Sequence, residues 1–226
     1  LTELPKCYEG EIVLGTETTT LDAAGKITAT HDMSAVTDGQ VRAEANHLTG
    51  DLMQVPPMVS AIKIDGKRLH ELAREGKEVD RPPRPVRVDR FDVEPVEGER
   101  GVWRCVVDCS SGTYIRSLAA DLGTALGGGA HLRSLRRTSV GGFTLDDAGT
   151  VESATLLPIS AAVQHLESTL VDDDTAMLVG HGRVLPLEQL RVSGAGPWAV
   201  LGQDGKLIAV YEPHSQGGKP TVVIPR

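Results

Sequence analysis

Two side chains that can take part in chemistry, Tyr114 and Arg116, lie near the start of an otherwise apolar segment, SGTYIRSLAADLG, residues 111–123. Ile115, Leu118 and Leu122 recur at helical spacing, and Arg116 lies about 100° around that helix from them, in its first turn. The positive end of the helix dipole disfavours an arginine there by roughly a few tenths of a kcal/mol. A nearby carboxylate would offset this cost, and an active-site aspartate needs such a partner to stay ionised in a pocket. A surface arginine on a solvated helix face explains the pattern equally well.

Motifs for other kinds of chemistry are absent from the sequence. There is no G-x-S-x-G elbow, no P-loop and no H-E-x-x-H motif, so none of these motifs identifies a nucleophile. Cys7, Cys105 and Cys109 are odd in number and have no partner at metal-ligand spacing. We therefore expect buried thiols, and neither a disulfide framework nor a metal site.

The charge distribution is uneven. The net charge is −8, yet residues 63–90 hold nine Lys or Arg against six Asp or Glu, and residues 131–137 hold three arginines and no acid. Because charges are screened beyond about 8 Å at physiological salt, such local patches can bind phosphates although the whole protein is acidic. A solvated surface is the alternative. No apolar run is long enough to cross a membrane and no signal peptide is evident, so we expect a cytoplasmic protein.

Hydrophobic periodicity indicates the elements that must position these residues. The pattern predicts strands at 6–14, 58–64, 86–93, 102–108 and 131–140, and helices at 37–48, 67–75 and 114–126. Thr37 and Gln40 form a predicted capping box, and Asp65-Gly66 a predicted turn. Residues 14–26 are expected to be a loop, 151–170 to contain a helix, 172–174 to be a linker, and 175–226 to be rich in strands.

Four ordered segments carry a resemblance to a known family. They are KCY (6–8), LGTETTTLDAAG (14–25), QVPPMVSAIKIDGKRLHELAREG (54–76) and SGTYIRSLAADLGTALGGGAHLRSLRR (111–137). Together they resemble the bacterial TruB family of tRNA pseudouridine synthases. The last fifty residues are similar, more weakly, to the PUA-type RNA-binding module of these enzymes.

The resemblance implies a fold, a domain organisation and a reaction. The fold would be α+β, with a mixed, largely antiparallel sheet flanked by helices and a small β-rich PUA-like module. Residues 1–171 would be the catalytic domain and 172–226 the RNA-binding module. The reaction would isomerise uridine 55 in the T-loop of tRNA to pseudouridine, without cofactor or metal, in a protein expected to be a monomer. The uridine must be flipped out of its stack and held there.

The resemblance also implies roles for individual residues. Tyr8 matches the tyrosine that stacks on the target base and can accept a proton, although a strand tyrosine packing a core is the plain alternative. Arg116 matches the arginine that pairs with the catalytic aspartate, and Asp22 a loop aspartate that helps to order it. Tyr114 and Leu135 match substrate-contacting positions. The residues expected to grip the RNA backbone are Lys63, Lys67, Arg68, Arg74, Lys77, Arg133, Arg136 and Arg137.

Two departures from the family pattern qualify this hypothesis. The nucleophilic aspartate of the family lies in a motif like G-H-x-G-x-L-D-P-x-A-T-G, and nothing in this chain matches it. We expect a preceding segment to supply it; a catalytically dead paralogue or a T-arm-binding protein that does not isomerise is the alternative. His70 occupies a position that usually holds tyrosine. A structural or nucleotide-binding α+β domain without an RNA function is a third, weaker reading.

Overall fold

A computed structural model describes residues 1–64 and 66–225, so the predicted turn residue Asp65 lies outside the described residues. The chain divides into two compact units, Leu1–Asp146 and Asp147–Arg226. This boundary falls earlier than the predicted one at 171/172. The functions assigned to the two parts remain predictions.

The first unit alternates strands with three helices. Its strands are β1 (Lys6–Leu14), β2 (Thr16–Thr18), β3 (Ile27–Thr30), β4 (Gly50–Gln54), β5 (Lys63–Ile64), β6 (Lys67–Arg68), β7 (Arg84–Pro95), β8 (Val102–Cys109), β9 (Ala130–Val140) and β10 (Phe143–Thr144). Its helices are α1 (Asp38–His47), α2 (Leu69–Arg74) and α3 (Ile115–Ala125). The predicted capping box is present at Thr37, whose hydroxyl and backbone both bond to Gln40.

Six strands form an antiparallel sheet in the order β10-β9-β1-β8-β7-β4. The α+β prediction and the predicted strands 6–14, 86–93, 102–108 and 131–140 are confirmed. So is the helix at 114–126, whose cap residues are Tyr114 and Leu126. β1, the first strand along the described chain, lies inside the sheet between β8 and β9.

The two faces of this sheet differ in character because side chains alternate along each strand. On one face Ile12 and Val107 pack with Val41 of α1 and with Leu118 and Leu122 of α3 in a single core cluster. We call it the helix-covered face. The opposite face, here the charged face, carries residues such as Glu11, Arg104 and Asp108, which alternate with the buried ones. Cys105 and Cys109 lie in the core as predicted, whereas Cys7 is only half-buried.

Four local predictions were wrong. The segment 14–26, expected to be a loop, contains the strand β2, which pairs with β3. Only Lys63–Ile64 of the predicted strand 58–64 is a strand, because the carbonyls of Val59 and Ser60 accept side-chain hydrogen bonds from Arg116 and His70 instead of pairing with a sheet. Residues 151–170 contain a five-residue 3₁₀ helix and a strand but no α-helix. Asp172 begins a helix rather than a linker, since its carboxylate accepts a bond from the Thr175 N–H at 2.8 Å.

The second unit is rich in strands, as predicted. Its four-stranded sheet has the order β11 (Glu167–Leu170), β12 (Trp198–Leu201), β13 (Leu207–His214) and β14 (Gly217–Val223). Two helices, α4 (Asp173–Gly180) and α5 (Leu187–Leu190), complete the unit. Trp198 and Tyr211 are fully buried in its core.

Candidate active site

Arg116 is held in the first turn of α3 by three acceptors. Its Nη1 donates to the backbone oxygen of Thr20 and to Oδ2 of Asp22, both at 3.0 Å, and its Nη2 donates to the backbone oxygen of Val59 at 2.7 Å. A guanidinium has five N–H groups, so two of them, on Nε and Nη2, have no acceptor among the described residues. The carboxylate that the sequence analysis expected near Arg116 is therefore present, and the guanidinium can still bind another group.

Asp22 is fixed by its own loop. Its Oδ1 accepts from the Thr20 hydroxyl at 2.5 Å and from the Ala24 N–H at 3.1 Å. The loop is tied to β9 on both sides of Asp22, because Leu132 donates to the Leu21 oxygen and accepts from the Ala23 N–H. Both carboxylate oxygens are thus occupied, which suits Asp22 to orienting Arg116.

Tyr8 and Leu135 lie on neighbouring strands and share the helix-covered face. Between them is Gly10, which pairs with Leu135 across the strands. A Cβ on Gly10 would stand 2.5 Å from the Ser134 oxygen and 3.3 Å from the Leu135 Cδ1, so only glycine fits beneath the leucine. The Tyr8 hydroxyl makes no hydrogen bond to another described residue, and Leu135 is 46% exposed although it is apolar. Both side chains are free to meet a ligand.

Tyr114 precedes α3 and lines a cavity of about 560 Å³. The other lining residues are Ile62, Arg84, Pro85, Val86 and Gly112. Arg84 is exposed and forms no ion pair among the described residues. An aromatic ring, apolar walls and a guanidinium are groups that bind nucleobases. The sequence analysis missed Arg84, since a charge between two prolines shows no periodicity.

The predicted RNA-gripping residues of the 63–77 segment cluster on the β5–β6 hairpin and α2. Lys63, Lys67 and Arg68 are exposed on the hairpin, and Arg74 is exposed in the last turn of α2. Glu75 lies 2.8 Å from Lys77 and 3.8 Å from Lys67, so these two lysines are partly neutralised.

The three arginines of β9 differ in surroundings. Arg133 is bound by Glu11, at 2.9 Å, and by Glu99, and these bonds hold the pKa of both carboxyl groups below the ordinary value of 4.5. Arg136 pairs across the strands with Glu9, on the charged face, whereas Arg137 pairs with Tyr8. Neither Arg136 nor Arg137 forms an ion pair among the described residues. The structure thus brings Arg137 together with Tyr8 and Leu135, and leaves Arg133 occupied elsewhere.

Two polar residues near the site lie in segments that carry the family resemblance, but the sequence analysis gave neither a role. Thr20 bonds to Asp22 at a separation of two residues, a spacing typical of local turn motifs that could have been noticed. Gln54 is 4% exposed and bonds to the backbone of Tyr114, sixty residues away, which no local pattern reveals.

The described residues offer neither a metal site nor a membrane-spanning helix. Within residues 1–64 and 66–225, no group of three or more His, Cys, Asp or Glu side chains is arranged to hold a metal ion. None of the helices formed by these residues has the length and apolar character required to cross a membrane.

Solved structures support the fold. The chain superposes over its whole length on 68% of a chain in the crystal structure of a Cbf5-Nop10-Gar1 complex, with a TM-score of 0.67 and 22% identity. A structure of an H/ACA RNP bound to a substrate RNA gives a TM-score of 0.66 at 20% identity. At these identities the similarity establishes the pseudouridine synthase fold alone.

Sequence comparison establishes the family. The chain is 42% identical over 228 residues to tRNA pseudouridine synthase B of Rhodococcus jostii, covering 97% of this chain and 73% of that protein. It is 45% identical over 215 residues to the protein of the same name from Corynebacterium aurimucosum, covering 92% and 71%. Residues 1–115 match the TruB family pseudouridylate synthase N-terminal domain, and residues 116–190 the tRNA pseudouridylate synthase B C-terminal domain. These matches show that the chain, in which Arg116 of α3 binds Asp22, belongs to the TruB family of pseudouridylate synthases, which are isomerases.

Proposed function

We propose that this protein isomerises uridine 55 in the T-loop of tRNA to pseudouridine, in the cytoplasm and as a monomer. Its relatives named tRNA pseudouridine synthase B support the tRNA substrate. The observation that carries the proposal is the contact between Arg116 and Asp22, which joins two motifs matched to the family across 94 residues. The alternative is a protein that grips T-arms without isomerising them.

Residues of the helix-covered face take the flipped uridine in this proposal. Extruding a base costs a few kcal/mol, and an aromatic ring that stacks on the base offsets part of that cost. Tyr8 supplies the ring, and Leu135 lies one strand away on the same face. Once the N-glycosidic bond has broken and the base has turned, the ring carbon that joins the sugar must lose its proton. The unbonded hydroxyl of Tyr8 is suited to accept that proton.

The nucleophile in the proposal is an aspartate. No segment of residues 1–226 matches the family motif that contains it. Asp22 is an unsuitable substitute, because its two oxygens already accept three hydrogen bonds, from Thr20, Ala24 and Arg116. The two remaining N–H groups of Arg116 are where a second carboxylate would pair. Such a pair keeps an aspartate ionised in a pocket.

Backbone contacts complete the proposed RNA site. Lys63, Lys67, Arg68 and Arg74 are exposed on one hairpin and helix, and Arg137 is free beside Tyr8. Lysine and arginine contacts to phosphates position the RNA without reading its sequence. The strand-rich second unit would bind RNA as a PUA-like module does.

The test is a pseudouridine-formation assay on a T-arm RNA hairpin. It compares the 226-residue chain with the protein translated from its own start codon, and the same two proteins are tested for binding to the hairpin. We expect both to bind and the protein from the start codon to convert the uridine. If both bind and neither converts, the protein grips T-arms without catalysis and the proposal is wrong.

A further inference from the structure

Gln54 makes an unusual pair of hydrogen bonds to the start of α3. Its Nε2 donates to the backbone oxygen of Tyr114 at 3.2 Å, and its Oε1 accepts from the backbone N–H of Tyr114 at 2.8 Å. Tyr114 is the N-cap of α3, has an extended backbone, and does not cap the helix with its own side chain. The amide of Gln54 therefore accepts from the N–H of Tyr114 and is a second donor to its oxygen, which also accepts from the Leu118 N–H at 3.1 Å. Tyr114 matches a substrate contact.

The segment that follows Gln54 holds the next residues of the same helical turn. The Val55 oxygen accepts from the Ser117 hydroxyl at 3.0 Å, and the Val59 oxygen accepts from Arg116 at 2.7 Å. Pro56 and Pro57, between them, have no N–H to offer a neighbouring strand, so the segment leaves the sheet and its carbonyls face side chains. Residues 54–59 thus fasten α3 at three points, of which Gln54 is the most buried.

We propose that Gln54 is a positioning residue for the pseudouridine synthase reaction. It acts through the backbone of Tyr114, which sets where α3 begins and hence where the guanidinium of Arg116 lies. This inference rests on the proposed function, because the reaction is what the position of Arg116 serves. Leucine at position 54 fills similar space but leaves the N–H of Tyr114 without its acceptor, and its oxygen with the Leu118 N–H as donor. Glutamate can still accept from the N–H, but it can donate to the oxygen only when protonated.

A matched control exists on the other helix of the sheet. The Oε1 of Gln40 accepts from the backbone N–H of Thr37, the N-cap of α1, at 2.9 Å. Gln40→Leu therefore removes the same kind of glutamine-to-cap bond from a helix that carries none of the proposed site residues. Any effect shared by the two leucine variants is an effect on stability alone.

The experiment measures kcat and KM on T-arm RNA for the protein translated from its own start codon, with Gln54→Leu, Gln54→Glu and Gln40→Leu. A misplacement of about 1 Å costs on the order of a hundredfold in rate. We expect Gln54→Leu to lower kcat on that order with little change in KM, and Gln40→Leu to keep both values. Gln54→Glu should recover activity relative to the unmodified protein as the pH falls, because its carboxyl then gains a proton to donate.

A second measurement makes the result independent of activity. The N–H groups of Tyr114 and Leu118 bond to Gln54 and to the Tyr114 oxygen. Amide hydrogen exchange at both, followed in the 226-residue chain, should speed up in Gln54→Leu and not in Gln40→Leu. Unchanged exchange, or an active protein whose Gln54→Leu variant keeps its kcat, would overturn the inference and leave the proposed function standing. An unmodified protein that converts no uridine would overturn the proposed function and, with it, a catalytic role for Gln54.

Discussion

The two faces of the six-stranded sheet use their arginines differently. On the charged face Arg87, Arg90 and Arg133 each bind one or more carboxylates of the same chain. On the helix-covered side Arg137 has no ion pair among the described residues, and Arg116 binds Asp22 with two N–H groups to spare. Acids of the same chain thus neutralise three arginines of the charged face, although Arg104 and Arg136 on that face form no ion pair among the described residues. The helix-covered side offers RNA positive charge that is not fully compensated, at Arg137 and Arg116.

The largest effect on activity is expected from substitutions of Tyr8, which lies on the helix-covered face. Tyr8→Phe keeps a ring for stacking but cannot accept a proton, so we expect kcat to fall roughly 10²–10⁴-fold at nearly unchanged RNA affinity. Tyr8→Leu should also weaken RNA binding, by about 1–3 kcal/mol, because the stacked base is lost. Pseudouridine formation and fluorescence binding to T-arm RNA measure the two effects. Full activity of the phenylalanine variant would exclude Tyr8 as the proton acceptor.

Substitution of Arg116 should have the second largest effect on activity. Arg90, on the charged face, is its matched control. Each guanidinium binds an aspartate, Asp22 at 3.0 Å and Asp108 at 2.8 Å. We expect Arg116→Ala to lower kcat by roughly 10²–10³-fold, since a preorganised donor is lost at the reacting centre, and Arg90→Ala to leave kcat unchanged. Equal losses in single-turnover pseudouridine assays would mean that both pairs act only on stability.

Arg136 and Arg137 are neighbours on β9 that lie on opposite faces of the sheet, and neither forms an ion pair among the described residues. Removing one phosphate contact lowers the slope of log affinity against log salt by about 0.7–0.9. We expect this change for Arg137→Ala and no change for Arg136→Ala, in binding titrations on T-arm RNA at several salt concentrations. The reverse pattern would place the RNA on the charged face.

The cysteines report on the same two faces. Burial raises the pKa of Cys105 to about 12 and that of Cys109 to about 11, and both lie in the helix-covered core. Cys7 alternates with Tyr8 and is more accessible, although burial raises its pKa too. Iodoacetamide at pH 8 should therefore label Cys7 first, with the other two reacting only in denaturant. Mass spectrometry locates the label, and equal labelling of native Cys105 would contradict the assignment of the faces.

The smallest effect is expected at Glu11. Because its pKa is lowered in the folded protein by the hydrogen bond from Arg133, its contribution to stability is present above the ordinary pKa of 4.5 and is lost as pH falls through the lower folded value. Glu11→Gln should therefore lower Tm slightly at pH 7, and the difference should shrink below about pH 4.5. A difference independent of pH would show that Glu11 acts by packing.

The sequence predicted well the elements that have strong hydrophobic periodicity. It predicted poorly the segments whose conformation depends on hydrogen bonds between residues distant in sequence. The apolar stripe of α3 and the alternation in β1 predicted both elements within a residue of their ends. The strand predicted at 58–64 was wrong because Val59 bonds to Arg116, 57 residues away. For the site, a carboxylate near Arg116 could be expected from helix electrostatics, but its identification as Asp22 came from the family resemblance. Gln54 could not be found, since its partner is a backbone group that a sequence does not display.

The position of β1 inside the sheet has a consequence for the newly made chain. A ribosome completes Lys6–Leu14 before either neighbouring strand, Val102–Cys109 or Ala130–Val140, exists. Until then β1 offers two unpaired edges, and the loop that carries Asp22 has no Leu132 to bond to. Because its Leu132 partner is made late, the loop that carries Asp22 is one of the last parts of this unit to reach its final conformation.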